Sequence, residues 1–207
     1  MKITSNLKLA SLPLTIFFTF GMVTAVPAAD VSKLVKEECA DCHEKTGNST
    51  DGKTPSIAGI SVDYFVESME EYKNGARPAL KLKDKDEDMK EVAKELSDED
   101  IAALADYFAG QKYIPQKQNF DPGMAKVGKK LHRKYCDKCH TEGGSSAEDD
   151  AGILAGQPIS YLKYSMDNYA QGKREMGKKM TKKFKKMQKK AGDEGIEQLI
   201  HYYASQQ

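Results

Sequence analysis

Two short segments of the chain contain cysteine and histidine in the order C-x-x-C-H, at residues 39–43 and 136–140. Two thiols three positions apart on a helical turn can form thioethers with the two vinyl groups of one porphyrin. The adjacent histidine can then bind the iron. The chain has 4 cysteines, and these motifs contain all of them. The sequence therefore predicts two covalently bound haem c groups. The expected attachment residues are Cys39, Cys42, Cys136 and Cys139.

Other uses of paired cysteines fit the spacing poorly. A zinc ribbon has its two C-x-x-C pairs roughly fifteen to twenty residues apart, whereas these pairs are more than ninety residues apart. A thioredoxin-like redox pair lies near a βαβ pattern, and the sequence has no such pattern. Both alternatives are therefore less favoured than haem attachment.

His43 and His140 are the expected proximal iron ligands. A proximal histidine commonly donates its other ring N–H to a backbone carbonyl, and the carbonyl of Pro55 is predicted to accept from His43. A methionine thioether at the sixth position would leave iron without an open site and raise its potential. In the first half this ligand is predicted to be Met89, since the alternative, Met69, lies on a packing stripe where methionine is usually core.

The sixth ligand in the second half is left open by spacing alone. Met176, Met180 and Met187 all compete, and the last two are one heptad apart on one predicted helix. His132 and His201 could in principle complete a bis-histidine haem, but they are expected to be surface or packing residues.

The elements that must position these residues occur twice. A shift of ninety-seven residues superposes the first C-x-x-C-H motif on the second, and it also matches Tyr64 with Tyr161 and Arg77 with Arg174. Towards the end of each copy the shift becomes ninety-five residues, so that the segment ending at Gln111 matches the segment ending at Gln206. Two copies of this length indicate a duplicated domain, because a solenoid needs three or more short units.

Each copy has the sequence pattern of helices, so the fold class is predicted to be all-α. Apolar spacing predicts helices over residues 31–40, 62–74 and 124–135, the last with Val127 and Leu131 facing inward. Ser97 followed by acids is a helix N-cap pattern. No stretch of alternating apolar and polar residues indicates a sheet.

These patterns predict four segments. Residues 1–29 resemble a secretory signal peptide, with an apolar run after Lys2 and Lys8 and small residues at its end. Residues 30–112 form the first domain, 113–122 a linker rich in proline and amides, and 123–207 the second domain. Because haem c is attached outside the bacterial inner membrane, the mature protein is expected to be periplasmic, with no later segment apolar enough to span a bilayer.

Charge is balanced overall but uneven along the chain. The sequence has 32 lysines and arginines against 31 acids, yet residues 173–190 contain ten basic residues and one acid, whereas residues 84–100 are rich in acids. A basic run can bind nucleic acid or anionic lipid. In an exported redox protein, a docking face or a solvated helix is the better interpretation, and no nucleic-acid partner is expected.

The first half resembles the dihaem class I cytochromes c, in its C-x-x-C-H motif, residues 55–59 (PSIAG), residues 72–77 (YKNGAR), Met89 and residues 96–109. The second half resembles more specifically the cytochrome subunit of flavocytochrome c sulfide dehydrogenase. The matching stretches are residues 130–132, 134–136, 139–140, 143–144, 153–157 and 203–207.

This resemblance implies two tandem class I cytochrome c folds, related by a pseudo-twofold axis, with His/Met-ligated haems. It favours Met89 and, through residues 178–180, Met180 as the sixth ligands. It also implies a non-catalytic electron-transfer subunit that accepts electrons from an FAD-binding sulfide dehydrogenase flavoprotein and passes them to a soluble cytochrome or other acceptor. The alternative is a free-standing dihaem shuttle to an oxidase or reductase. A peroxidase or gas sensor is a distant third, because it requires an open iron.

Overall fold

The computed structural model describes residues 30–148 and 150–207, and within them the chain forms helices joined by loops, with no β-strand. The predicted all-α fold is confirmed for this part of the chain. The predicted signal peptide, residues 1–29, lies outside the described residues. No helix in the described ranges is long and apolar enough to cross a membrane.

The first half begins with one continuous helical stretch that ends on the first C-x-x-C-H motif. Helix α1 (Val31–Leu34) passes into a π-helical turn (Val35–Cys39) and then into α2 (Ala40–His43). Three further helices follow. They are α3 (Val62–Asn74), α4 (Met89–Glu95) and α5 (Asp98–Ala109).

Local capping explains where these helices start and stop. The Ser61 side chain accepts from the Tyr64 amide at the start of α3, and Gly75, at φ 82°, ends it in the left-handed region. Ser97 and Asp100 form a reciprocal capping box on α5, as the sequence predicts. Asp88 and Glu91 form a second box on α4, a helix that the sequence analysis did not predict.

The second half repeats this order of helices. Its elements are α6 (Pro122–Tyr135), a 3₁₀ turn (Glu142–Gly144), α7 (Ile159–Ala170), α8 (Lys178–Ala191) and α9 (Glu194–Ala204). Helix α8 has 14 residues where α4 has 7. Helix α6 starts two residues before its predicted beginning. Asp121 accepts from the Met124 amide there, and a proline is well suited to the first helical turn because it has no N–H to leave unpaired.

Each half has its own hydrophobic cluster. The first is built by residues between Val35 and Phe108 from α3, α4, α5 and the N-terminal stretch. The second is built by residues between Tyr135 and Tyr203 from α6 to α9. In the second half α6 crosses α9 so closely that a Cβ on Gly128 would lie 1.9 Å from the Gln198 carbonyl oxygen.

This close crossing corrects one expectation about α6. Val127 was predicted to face inward, but it is 40% exposed. The buried face instead contains Ala125, Gly128, His132 and Tyr135, because the small Gly128 lets the α9 backbone approach that side. Leu131 does pack against the second cluster, as predicted.

The segment predicted as a linker is held against both halves. The Ile114 amide donates to Asn48 of the first half at 2.8 Å. The Gln116 amide donates to the Gly156 carbonyl of the second half at 2.9 Å, and the Gln118 side chain donates to the Gln157 carbonyl at 2.8 Å. The connection therefore ties the two halves together through backbone groups.

Candidate haem sites

The four cysteines lie on helical turns in both halves. Cys39 ends the π-helical turn and is buried, and Cys42 is half-buried on α2. In the second half the His140 amide donates to the Cys136 carbonyl at 3.0 Å, which closes the same kind of turn. None of the four is in a disulfide, so all four thiols are available for thioether bonds, and burial raises the pKa of the Cys39 thiol to about 12.

His43 is oriented as an iron ligand requires. Its ring is 6% exposed, and its Nδ1 lies 2.9 Å from the Pro55 carbonyl oxygen, an acceptor that fixes the tautomer with Nε2 unprotonated. The predicted contact between His43 and Pro55 is thereby confirmed. Burial lowers the pKa of His43, so the imidazole is neutral and Nε2 has a free lone pair for a metal.

In the second half, the loop that corresponds to the Pro55 loop lies against a tyrosine of the first half. Gly152 occupies the register of Pro55, and a Cβ there would lie 2.7 Å from the ring of Tyr64 in the first half. A glycine at this position therefore allows the tyrosine of one half to lie against the loop of the other. His140 itself is half-buried.

The methionines of the first half occupy two different environments. Met69 is 4% exposed within the first cluster, as expected of a packing residue. Met89 is the first residue of α4, is only half-buried, and packs against the same cluster that contains Cys39. Met89 therefore lies at the edge of the cluster and is not enclosed within it, unlike Met69.

The three methionines of the second half also differ. Met187 is 1% exposed, and its sulfur lies by Gly195 and Leu131, so it fills the core between α6, α8 and α9. Met176 precedes α8 and packs against the second cluster. Met180 is half-buried in the first turn of α8. Met180 thus resembles Met89, because each lies in the first turn of the helix that precedes the last helix of its half.

The two histidines outside the motifs make protein contacts. His132 is 1% exposed, with Nδ1 3.1 Å from the Tyr203 hydroxyl and Nε2 3.1 Å from Asp137. His201 accepts from the Asp121 amide at 3.0 Å. Both ring nitrogens of His132 are therefore engaged, which agrees with the expectation of a packing residue.

His132, Tyr203 and Asp137 form a polar network that sequence reasoning missed. At the repeat shifts of ninety-seven and ninety-five residues, the first half has Val35, Phe108 and Ala40 at these positions. The Tyr203 hydroxyl also contacts the Cys136 thiol. Comparison of the two copies, position by position, could have found this difference.

A second missed feature is a crossed pair of arginines between the halves. Arg77 donates to Tyr161 of the other half at 2.9 Å, and Arg174 in turn donates to Tyr64. Each guanidinium also stacks on a tyrosine of its own half, Arg77 on Tyr72 at 4.7 Å and Arg174 on Tyr169 at 4.8 Å. These positions are related by the same shift of ninety-seven residues.

The positive charges of this cluster are only partly compensated by carboxylates of the described residues. Arg77 and Arg174 are 7% and 6% exposed, and a carboxylate, that of Glu71, bonds to Arg174 at 2.8 Å. Nε of Arg174 is buried and has no hydrogen-bond partner among the described residues. Buried cations need compensation, so the cluster fits the propionate groups of haem.

A buried side-chain amide, that of Gln157, also joins the two halves. Gln157 is 3% exposed. Its side-chain oxygen accepts a hydrogen bond from the backbone N–H of Ser56 at 2.9 Å, and its side-chain nitrogen donates to the backbone carbonyl oxygen of Ser56 at 2.8 Å. Ser56 directly follows Pro55, the acceptor of the His43 bond. The contact between halves therefore extends to the loop that orients the first imidazole.

Comparison with known proteins shows which family the chain belongs to. Residues 28–112 match the family model of cytochrome c. The chain is 30% identical to cytochrome c4 of Pseudomonas aeruginosa over 179 residues, which cover 82% of this chain and 84% of that protein. It is 31% identical to cytochrome c4 of Stutzerimonas stutzeri over 181 residues, with the same coverage.

Solved structures show the same fold. The crystal structure of reduced cytochrome c4 from Pseudomonas stutzeri superposes with a TM-score of 0.67 at 24% identity, covering 86% of this chain and 96% of that one. Cytochrome c4 of Acidithiobacillus ferrooxidans superposes with a TM-score of 0.63 at 26% identity, covering 81% of this chain and 98% of that one.

A third similarity covers a shorter part of the chain. The chain is 31% identical over 109 residues to the cytochrome subunit of sulfide dehydrogenase from Chlorobaculum tepidum. These residues are 48% of this chain but 92% of that subunit, so the subunit is about half as long as this chain.

The helical fold and the repeated C-x-x-C-H motif define a c-type cytochrome with class I cytochrome c folds. More particularly, the chain belongs to the cytochrome c4 family. It carries two covalently bound haem c groups, and its role is electron transfer and not catalysis.

Proposed function

We propose that this chain is a free-standing dihaem electron carrier that receives electrons at one haem and delivers them from the other. The observation that carries this proposal is the match to two cytochromes c4 over 82% of the chain, which includes both halves. The crossed arginine–tyrosine contacts support it further, because they hold the two halves in one arrangement.

Each half binds one haem with its own residues in this proposal. Cys39 and Cys42 attach the first porphyrin, and Cys136 and Cys139 attach the second. The axial ligands are His43 and Met89 in the first half, and His140 and Met180 in the second. The domains extend over residues 30–112 and 123–207, joined by residues 113–122.

Each haem supplies an iron that accepts and returns one electron when the group is bound. The protein's residues hold that iron in a fixed environment. Pro55 orients the His43 imidazole, and the sulfurs of Met89 and Met180 would hold the iron from the side opposite the histidines. Arg77 and Arg174, which are buried where the two halves meet, would compensate the negative charge of haem propionates. An iron held between a histidine and a methionine would have no free position for a substrate, which is why electron transfer is the chemistry proposed for both centres.

The second candidate function is the haem subunit of an FAD-containing sulfide dehydrogenase. It is favoured by the 31% identity to such a subunit in Chlorobaculum tepidum. That subunit is about half as long as this chain, whereas the cytochromes c4 match both halves. The free-standing carrier is therefore the preferred function.

The proposed location is the periplasm, with residues 1–29 acting as the export signal. Covalent haem attachment at the outer side of the inner membrane requires this route, and the apolar run in residues 9–26 supplies it. The partners would then be other periplasmic redox proteins.

Native purification tests the two functions against each other. Holoprotein isolated from its own cells should elute from gel filtration without flavin, with two haems per chain, and should not be reduced by sulfide. Co-elution with an FAD protein together with sulfide-dependent haem reduction would instead establish the subunit function. Carbon monoxide should not bind the reduced protein, since binding would reveal an open iron.

A further inference from the structure

The buried network of His132, Tyr203 and Asp137 adjoins the attachment site of the second haem. We propose that His132 is a positioning residue for this haem: by gaining or losing a proton it directs the hydroxyl hydrogen of Tyr203 towards or away from Cys136, and so changes how readily the haem accepts an electron. The inference rests on the haem at Cys136 and Cys139, and it adds a proton-dependent control to the carrier function.

The fold itself does not need this network. At the repeat shifts, Val35, Ala40 and Phe108 occupy the positions of the three polar residues in the first half. Val35 and Phe108 are buried in the first cluster, so apolar side chains fill the same helix crossing there. Buried polar groups are often no more stabilising than well-packed apolar ones. The network of the second half therefore calls for an explanation other than stability.

The partners of His132 define where its hydrogen lies. Nε2 is 3.1 Å from Asp137, and an ionised carboxylate can only accept, so Nε2 carries the hydrogen of the neutral ring. Nδ1 is then an acceptor, and the Tyr203 hydroxyl, 3.1 Å away, donates its single hydrogen to it. The same hydroxyl contacts Sγ of Cys136. Once the haem is attached, this sulfur is a thioether, which has no hydrogen and can only accept.

Two acceptors therefore compete for one hydroxyl hydrogen. While His132 is neutral, Nδ1 receives that hydrogen and the Cys136 sulfur meets a lone pair of the Tyr203 oxygen. When His132 binds a proton, Nδ1 becomes a donor to the Tyr203 oxygen, and the O–H bond can rotate towards the sulfur. The tyrosine keeps its proton in both states, so the only proton exchanged with solvent is the one on His132.

Both changes favour the reduced haem. An entering electron adds one negative charge, which a positive charge on His132 stabilises, and hydrogen bonding around the haem is one of the features that set its potential. His132 and Tyr203 are 1% and 0% exposed, so solvent screens the interaction weakly. Because coupling is reciprocal, reduction of the haem must raise the pKa of His132 by the same free energy.

The surroundings of the ring allow it to be protonated. The titratable groups that face the network are Asp137 on the motif turn, Tyr202 and Tyr203 on α9, and Lys183 on α8, which acts on Cys136. Burial lowers the pKa of His132, and the 51% exposed Asp137 opposes this effect. Asp137 is thus the anion that compensates a charged ring, and proton binding is expected below a pH of about 6.5.

The test is a potentiometric titration of the holoprotein at pH values between about 5 and about 8. Haem methyl NMR signals separate the two potentials, because Overhauser contacts assign each signal to the haem of its own cysteines. In the wild type, the reduced-to-oxidised ratio of the second haem at a fixed applied potential should be at least about threefold higher at the lower pH. The ring signals of His132 should show a higher pKa in the reduced protein than in the oxidised one.

Three variants install the residues of the first half. His132→Val and Tyr203→Phe should each remove most of this pH-dependent change from the second haem. In Tyr203→Phe the His132 ring still titrates, so that variant separates the hydroxyl from the charge. Asp137→Ala changes an exposed side chain and should move the rise in potential to lower pH. Asp41→Ala removes an exposed carboxylate from the first motif, and as the matched control it should leave the profile of the second haem unchanged.

A pH profile that persists in His132→Val would assign the dependence to another group and overturn the proposal. A full profile in Tyr203→Phe would overturn the role of the hydroxyl, and equal pKa values of His132 in both redox states would exclude any coupling. Variants that lose only stability, with the potentials unchanged, would make the network a packing device. If His132→Val does not fold, Tyr203→Phe and Asp137→Ala still decide. A second haem that takes up no electron in the wild type would instead contradict the carrier function.

Discussion

His43 shows how one hydrogen bond prepares an imidazole for iron. The Pro55 carbonyl fixes the protonated nitrogen, and burial keeps the ring neutral. Both features follow from a short loop twelve residues beyond the histidine. The C-x-x-C-H pattern and this loop could be recognised in the sequence because they are local.

Replacing Met89 by alanine should remove sulfur ligation from the first haem. The iron would become open or water-bound, and its potential would fall, because a thioether stabilises the reduced form. Absorption spectroscopy and potentiometry of the holoprotein would measure both changes. The control is Met69→Ala, which should keep the ligation but destabilise the fold by about 2–5 kcal/mol, since Met69 is buried in the first cluster. Loss of ligation in the control only would contradict the assignment.

The same comparison separates Met180 from Met187 in the second half, where spacing left the ligand open. Met180→Ala should change the spectrum of the second haem with little effect on stability. Met187→Ala should leave the spectrum unchanged and destabilise the fold by about 2–5 kcal/mol, because its side chain fills the core beside Gly195. Urea unfolding and absorption spectra of both variants would decide, and the reverse pattern would assign Met187 as the ligand.

His132 should make stability depend on pH. Its pKa is lowered by burial, against the opposing effect of Asp137. As pH falls below about 6.5, the unfolded state therefore binds a proton that the folded state does not, and the free energy of unfolding decreases until the folded pKa is passed.

The variant His132→Val, which installs the residue found at this register in the first half, tests that expectation. The stability difference between wild type and variant should shrink as pH falls from about 8 to about 5. Chemical denaturation at several pH values would measure it. A difference that stays constant over this range would show that His132 does not titrate on unfolding.

At the scale of helices, local signals in the sequence decided which helices and which buried faces could be predicted. The bounds of α3 were predicted from its apolar spacing, and the start of α5 was predicted because Ser97 is a local capping signal. Helix α4 was missed, since its seven residues are too few for a periodic pattern. The buried face of α6 was misplaced because Gly128 packs against α9, which is a contact between distant residues.

Removing the Ser97 cap should destabilise the first half. Ser97→Ala would leave the Asp100 amide without its acceptor, at a cost of about 1 kcal/mol. Asp193→Ala is the matched control, because Asp193 occupies the N-cap of α9 but makes no side-chain cap bond. Thermal unfolding would compare them, and an equal loss in both variants would mean that capping is not the cause.

At the scale of the whole molecule, the contact between halves was the part that sequence reasoning could not place. The repeat shift matched Arg77 with Arg174 and Tyr64 with Tyr161, but it did not show that each arginine reaches the tyrosine of the other half. Periodicity describes one element at a time, whereas this arrangement depends on how two folded units meet.

Gln157 should couple the unfolding of the two halves. Gln157→Ala would remove two buried hydrogen bonds to Ser56 and destabilise the protein by roughly 1–3 kcal/mol, with the halves beginning to unfold separately in calorimetry. Gln207→Ala is the control, because Gln207 makes the same pair of bonds to Gln118 but is exposed. A single transition with unchanged stability in Gln157→Ala would show that this contact does not couple them.

The most direct test of the whole account is a potentiometric titration of the pure holoprotein that counts electrons per chain while recording the spectrum. Two electrons should enter each chain, in steps that belong to two haems, and both centres should keep sulfur ligation in the reduced state. One electron per chain, or a centre without sulfur ligation, would contradict a two-haem carrier with histidine and methionine at each iron.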